Sequence, residues 1–380
     1  MDGILVVEIP DLGSPEAIEQ REKFKHVKPH EHLWYFTSAQ IAKVLENNGF
    51  SVVGMEIPVS GKVAVYATPQ IVVTDVTVMG PPGIGDTLWT LHKLKGIRER
   101  EAPCRLKYVV CSDPQQKPAI RARDLLLLCP YIDSVEFRRS VWPMDVGCKN
   151  PKFPLYELVA NDYLEPQGGL IENWRPELPS DFDLGIQVPD GARKQVRWRL
   201  GPNADCFAVL YFSSAVWNRT TVLPHWTPQD WAQMCIQLNS MGIKPVILGA
   251  DWDVDYVKEV AAEIMQAGEI PSRVWVNLVD RTPLITALAY MEGAAVTIGV
   301  CAGLPMMAAY LGWPTIIFWP TRGVAKTAAQ FGAAFKDNWI PPNVRCGGSY
   351  LGLDVGSFSV ADLMERALNV IRGKQHAHTS

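Results

Sequence analysis

No two of the eight cysteines stand as Cys-x-x-Cys, and their positions (Cys104, Cys111, Cys129, Cys148, Cys206, Cys235, Cys301 and Cys346) keep no regular spacing. Structural zinc sites and disulfide frameworks both need such spacing, so the pattern argues against each and fits a reducing, cytoplasmic setting. A surplus of charge of either sign is also missing. The 36 Lys and Arg against 40 Asp and Glu leave a net charge of −4 and a pI near 6.0, which gives no general electrostatic reason to bind nucleic acid or an anionic membrane. A local basic patch is left open by that count. The N-terminal MDGILVVEIPD carries acids where a secretion signal needs a basic start, and the apolar region from 284 to 319 is broken by Glu292, Pro305 and Pro314. The sequence reads as having neither a secretion signal nor a transmembrane helix.

What is present is ordinary soluble-enzyme composition, 48% hydrophobic and 20% charged, on a 380-residue chain long enough for two or three domains. The chain is organised around VTIGVCAGLPMMAAYLGWPTIIFWPT, Val296 to Thr321. A β-branched run turns through Gly299 to Gly303 into an apolar segment with Pro305 in its first turn. Gly312 and Pro314 end that segment, and Thr315 to Trp319 follow as a second buried strand. The spacing predicts a βαβ step of a parallel sheet, with Gly303 and Leu304 at the helix start, where free N–H groups favour an anion. A buried core with glycines kept for tight turns is the plainer alternative.

Residues 1–70 read as strand (Ile4 to Ile9), long loop, helix (Ser38 to Asn48) and two strands (Phe50 to Ile57, Val63 to Ala67). Here GILVVEIPD and HEHLWYFTSAQIAKVLENNGFSVVGMEIP resemble the C-terminal half of a class I S-adenosylmethionine-dependent methyltransferase. That family's glycine-rich cofactor loop would precede Met1, so the segment is expected to be a remnant or accessory module.

From 71 to 200 the alternation continues. A β-rich run from Ile71 to Met79 leads through GPPGIGD into a helix over Thr87 to Arg100. A strand from Leu106 to Cys111, a helix from Pro114 to Cys129 and a strand from Ser134 to Phe137 follow, as in a doubly wound α/β domain. GPPGIGD is neither the dinucleotide fingerprint nor a P-loop, because it lacks the Lys-Ser/Thr pair. It places Asp86 at a helix start, as a cap or as a general base at the mouth of a cleft. Pro176 to Asn203 reads as an interdomain connection with a basic run, Arg193, Lys194, Arg197 and Arg199, that is either a solvated face or a contact for an anionic acceptor.

In the last part, the strand from Cys206 to Phe212 runs into Ser213-Ser214-Ala215-Val216-Trp217-Asn218-Arg219, whose hydroxyls and guanidinium suit a diphosphate. Thr227-Pro228 opens a helix, Gly242 ends it, and Lys244 to Leu248 leads into Gly249-Ala250-Asp251-Trp252-Asp253. Acids at such a strand end can bind ribose hydroxyls, whereas solvent-exposed capping is the alternative for Asp251, Asp253 and Asp255. No Asp-x-Asp motif is assigned to a metal. A strand from Val274 to Leu278 and a helix from Leu284 to Met291 precede the central βαβ step, and a last amphipathic helix spans Val360 to Ile371.

The order of these loops, with GIGDTLWTLHKLKGIRER and IGVCAGLPMMAAYLGWPTIIFWPT, is similar to glycosyltransferase family 9, the ADP-heptose:lipopolysaccharide heptosyltransferase-like enzymes, over roughly residues 74–372. The resemblance implies the GT-B fold, two Rossmann-like α/β domains facing across a cleft, here with a small N-terminal α/β extension. The implied division is 1–70 (extension), 71–200 (acceptor-side domain), 201–358 (nucleotide-sugar domain) and 359–380 (C-terminal helix and tail). It implies an inverting, metal-independent transfer from a nucleotide-diphosphate sugar to an acceptor hydroxyl on a glycan or glycolipid, with no cofactor.

By position, Asp86 matches the family's proposed base, with Gly85 and Thr87 on the acceptor side. Ser213, Ser214 and Arg219 match the diphosphate loop, Gly303 and Leu304 match the helix start, and Gly249, Asp253 and Leu278 complete the donor set. The family usually carries Asp-Ser/Thr-Gly-Leu/Met-x-His at this helix start. Here the positions read Cys301-Ala302-Gly303-Leu304-Pro305-Met306, so the acid and the histidine are replaced. A non-catalytic nucleotide-sugar or glycan-binding protein, and a nucleotide-sugar epimerase or hydrolase, remain open alternatives. Trp89, Trp217 and Trp319 are candidates for stacking on sugar or base, with burial in the core as the alternative. The expected location is the cytoplasm, with peripheral contact at the inner face of the membrane left open.

Overall fold

The computed structural model describes residues 4–11, 14–20, 36–56, 62–69, 73–139, 155–157, 171, 174–213, 226–319, 340–346, 349–354 and 357–377. The chain divides into two compact units, Met1–Val73 and Thr74–Ser380.

The first unit holds β1 (Leu5–Pro10), α1 (Pro15–Gln20), α2 (Ser38–Asn47), β2 (Phe50–Glu56) and β3 (Lys62–Pro69). β3 lies between β1 and β2 and runs antiparallel to both. Thr37 starts α2 with a reciprocal cap: its Oγ1 accepts from the Gln40 N–H at 3.2 Å, and the Gln40 Oε1 accepts from the Thr37 N–H at 2.9 Å. Ile41 and Leu45, four residues apart and so on one face of α2, pack on Val63, Val65 and Ala67 of β3.

The second unit opens with β4 (Thr74–Gly80), α3 (Ile84–Arg100), β5 (Cys104–Cys111), α4 (Lys117–Leu126), β6 (Ser134–Arg138) and β7 (Leu155–Glu157). These strands form a parallel sheet in the order β6-β5-β4-β7. Then come α5 (Asp190–Leu200), β8 (Phe207–Tyr211), α6 (Pro228–Ser240), β9 (Lys244–Leu248), α7 (Val254–Gln266), α8 (Pro271–Val274), β10 (Val276–Asn277) and α9 (Leu284–Gly293). β11 (Val296–Val300), α10 (Gly303–Tyr310), β12 (Thr315–Trp319), α11 (Pro342–Cys346), β13 (Tyr350–Asp354) and α12 (Val360–Ala377) complete it. The second sheet is also parallel, in the order β10-β9-β8-β11-β12-β13. In each sheet the first strand, β4 or β8, has its sequential successor on one side and a later strand on the other. The two switch points therefore fall after β4 and between β8 and β11, where ligands bind in such sheets.

Several boundaries differ from the sequence reading. α3 starts three residues before Thr87, because Gly83 in extended conformation serves as its N-cap. α4 is shorter than expected, capped at Gln116 with proline in its first turn. Pro271 opens a short helix that absorbs Val274 and leaves β10 only two residues. The segment read as a connection contains α5, whose apolar periodicity is only Ala192, Val196 and Leu200 and whose Pro-Asp-Gly start looks like a turn. α12 runs on to Ala377, past the expected end at Ile371.

The core accounts for most of the aromatic residues considered. Phe212 stacks near Trp231 at 4.5 Å between centroids, Trp226 lies 5.2 Å from Phe318, and Trp231 lies 5.5 Å from Phe318. Trp89 and Trp319, candidates for sugar stacking, are buried in this core, and Trp319 donates its Nε1–H to the Tyr350 hydroxyl at 2.8 Å. Trp217 lies outside the described residues.

The stretch 174–184 is strapped along α3. Lys93, 1% exposed, donates to the Leu178 carbonyl at 2.8 Å, Lys95 pairs with Asp181 at 2.7 Å, and the His92 carbonyl accepts from the Asp181 N–H at 2.7 Å. A buried ammonium is tolerated only when it is satisfied, so Lys93 fixes this strap. Among the described residues, no helix is long and apolar enough to cross a membrane.

Candidate functional site

The loop after β4 and the loop after β11 are brought together. Gly303, the first residue of α10, packs against the start of α3 so closely that a Cβ there would lie 2.8 Å from Ile84 Cβ and 3.2 Å from the Gly85 nitrogen. Only glycine allows this approach. The N-termini of α3 and α10 thus converge from the two sheets, each bringing first-turn backbone N–H groups that have no acceptor within the helix and the positive end of a helix dipole. Asp86 sits in the first turn of α3 and folds its carboxylate over Gly83, where any side chain would collide with it. Gly85 is beside it at the contact with α10. Thr87 is fully buried, and its hydroxyl is committed to the Gly83 carbonyl at 2.7 Å. Leu304 is partly buried against the core.

Cys301 and Met306, which stand where the resemblance has an acid and a histidine, are both buried apolar side chains. Burial pushes the Cys301 thiol well above its ordinary value, so it is held as a neutral thiol.

On the β8 side, Ser213 is buried, and its hydroxyl donates to Asp253 Oδ1. Asp253 is 1% exposed and also accepts from the Ala250 N–H at 2.6 Å. Burial pushes its carboxyl up to about 6, against the opposing pull of Ser213, the Ala250 N–H and Arg121. The solvent-exposed capping alternative is thus met differently by each acid. Asp253 caps from inside the core, Asp255 pairs with Lys258 at 2.8 Å, and Asp251 reaches the opposite domain. The Gly249 carbonyl accepts from the Asp280 N–H at 3.1 Å, and Leu278 is wholly buried behind it. Ser214 and Arg219 lie outside the described residues.

Two cations not singled out from the sequence join the halves. Lys117 Nζ on α4 lies 2.9 Å from Asp251 and 3.2 Å from Asp280, at the ends of β9 and β10. The Lys117 ammonium holds the Asp251 carboxyl below its ordinary value. One turn on, the Arg121 guanidinium sits over the Trp252 ring at 4.8 Å. Their four-residue spacing on one helix face was visible in the sequence; the acids and the ring they meet were not. Both ion pairs are about half exposed, so Lys117→Ala is expected to cost less than about 1 kcal/mol in a urea unfolding experiment. A much larger loss would show that the bridge carries the interdomain contact.

A cavity of about 650 Å³ lies between α7 and β10, lined by Val257, Trp275, Val279, Asp280 and Arg281 among others. It shares Asp280 with the Lys117 bridge but contains none of the residues assigned from the sequence.

Among solved structures, the chain is similar to Escherichia coli ADP-heptose LPS heptosyltransferase II, at 12% identity over 80% of this chain and 100% of that one, with a TM-score of 0.54. It is also similar to the glycosyl transferase family 9 protein of Veillonella parvula, at 13% identity over 79% of this chain and 98% of that one, with a TM-score of 0.55. The fold is GT-B. No protein-family model and no curated protein matches the chain. At such identities the likeness concerns the fold, and the chemistry has to be argued from the site.

Proposed function

We propose that this protein is an inverting glycosyltransferase that moves a sugar from a nucleotide-diphosphate donor to an acceptor hydroxyl on a glycan or glycolipid. The reading rests on the meeting of the α3 and α10 N-termini at Gly303, with Asp86 in the first turn of α3. In this scheme the acceptor oxygen attacks the anomeric carbon, Asp86 takes the hydroxyl proton, and the bond to the diphosphate breaks as the nucleoside diphosphate leaves. Negative charge growing on the leaving group is met by backbone N–H groups at the start of α10, donors fixed in place before the reaction. The Ser213 proton is committed to Asp253, so Ser214 and Arg219 are assigned the remaining phosphate contacts. Both GT-B proteins named above carry glycosyl-transferring names, which supports the class.

One observation favours a second reading, a non-catalytic nucleotide-sugar binder: the positions of the usual acid and histidine are buried as Cys301 and Met306. Calorimetric titration with a panel of nucleotides, followed by a product assay with the sugar donor of the best one, separates the readings. Transfer to an acceptor supports the proposal, binding without turnover supports the second reading, and turnover without acceptor points to an epimerase or hydrolase.

The acids of Asp251-Trp252-Asp253 face different partners, Lys117 and the Ser213 hydroxyl, and so do not form a paired carboxylate site. Transfer is accordingly expected to be unchanged by a chelator. Loss of turnover in chelator, restored by magnesium or manganese, would overturn the metal-independent scheme.

A further inference from the structure

Helix α5 has a face that the proposed reaction does not use. Its buried stripe is Ala192, Val196 and Leu200, and Arg193 beside it is pinned to Glu292 at 2.6 and 2.9 Å and to Asp190 at 2.8 Å. With 3.6 residues per turn, Lys194 and Trp198 fall together on the side opposite Val196. Trp198 is 85% exposed, the most exposed large apolar side chain among the described residues. Lys194 and Arg197 lie beside it, and neither forms an ion pair with a described residue, whereas Arg199 flanks the buried stripe within electrostatic reach of Tyr290 on α9. The helix's one acid, Asp190, is already held by Arg193.

We propose that this face docks the protein on an anionic phospholipid bilayer, with Trp198 seated at headgroup depth and Lys194 and Arg197 against the lipid phosphates. An indole has an apolar body and a single N–H donor, which suits the boundary between acyl chains and water. Cations close to an anionic leaflet add their attractions. The other side of α5 is packed on α9, so the helix lies flat and offers side chains without inserting. The net charge of −4 gives no general attraction to such a surface, so binding must come through this face. The same geometry disfavours a nucleic acid strand, which needs a longer basic track than two cations beside one indole. The inference is independent of the catalytic reading.

The test is co-sedimentation of the full chain with vesicles of phosphatidylglycerol and phosphatidylcholine, against vesicles of phosphatidylcholine alone. The wild type is expected to pellet with the anionic vesicles only, and less as salt is raised. Trp198→Ala and Arg197→Glu should each weaken partitioning about tenfold. Both positions are exposed, so unchanged unfolding midpoints will show that the variants are folded. A wild type that stays in the supernatant, that pellets equally with neutral vesicles, or that is matched by both variants overturns the proposal. So does a labelled oligonucleotide shifted by wild type but not by Arg197→Glu in the absence of vesicle binding, which would assign the face to nucleic acid.

Discussion

Asp86→Asn is expected to lower turnover by about a hundredfold or more while donor binding and folding persist. The substitution is nearly isosteric, and asparagine cannot take a proton from an attacking hydroxyl. The N-cap of α3 is Gly83, which makes no side-chain cap, and Asp86 is three residues further in. Its structural contribution is that of an acid near the positive end of a helix, folded back over the Gly83 cap position, and asparagine keeps the shape and the acceptor oxygen for that role at a cost of about 1 kcal/mol. Thermal unfolding should thus shift little, and titration with the donor should be unaffected, because in the proposed scheme the base meets the acceptor hydroxyl rather than the diphosphate. Unfolding, donor titration and turnover measured on one preparation separate the roles. Wild-type turnover in this variant would leave Asp86 as a stabiliser of the helix start and deprive the scheme of its base.

The second large effect concerns how stability depends on pH. His92 is fully buried in α3, stacked on Phe182 at 5.0 Å and edge-on to Trp174 at 6.5 Å. Neither ring nitrogen makes a hydrogen bond of good geometry with a described residue, although the Leu88 and Ile171 carbonyls lie near enough to oppose the shift a little. Burial, with repulsion from Lys93, pushes the imidazole down from 6.5 to about 3. The folded state then keeps His92 neutral while the unfolded chain takes up a proton below 6.5. This contribution is complete above that pH and is lost as pH falls toward 3, by about 1.4 kcal/mol per pH unit.

Asp253 acts with the opposite sign. Its folded value is raised from 3.8 to about 6, so the folded state holds a proton that the unfolded chain has lost, and stability falls as pH rises across that window. The two slopes oppose each other where they overlap. His92→Phe keeps a stacking ring and removes one slope. The stability of wild type relative to this variant should therefore grow by about 3 kcal/mol from about pH 4 to about pH 6. Urea unfolding of both proteins at the two pH values gives the double difference, in which constant packing changes cancel. A difference that does not change with pH would show that His92 titrates normally in the folded state.

The alternation of apolar runs and glycine or proline breaks was enough to order most of the second unit. Lys244–Leu248 and Thr315–Trp319 are bounded as the pattern predicts, because a strand buried on both faces is written as a continuous apolar run between turn residues. The same pattern passed over α5, where four apolar residues in eleven are outweighed by charge, over β7, which at three residues is too short to carry a period, and over β13, whose apolar run is broken by Gly352 and ends in Asp354. At the site, the sequence by itself determined which residues follow the strands: Asp86 at a helix start, Ser213 after β8, Gly303 after β11. A strand end and a helix start are local features, set by neighbours in the chain.

Only the tertiary structure decided which of these meet. That Gly303 touches Ile84, that Asp253 turns inward to Ser213 while Asp251 reaches Lys117, and that Cys301 and Met306 belong to the core are all contacts between residues far apart in sequence. A carboxylate in an Asp-Trp-Asp run has the same local signature whether it faces water, a lysine or a buried hydroxyl. Its charge state and its partner are fixed by the dielectric and the donors around it, and those are supplied by packing across the two sheets.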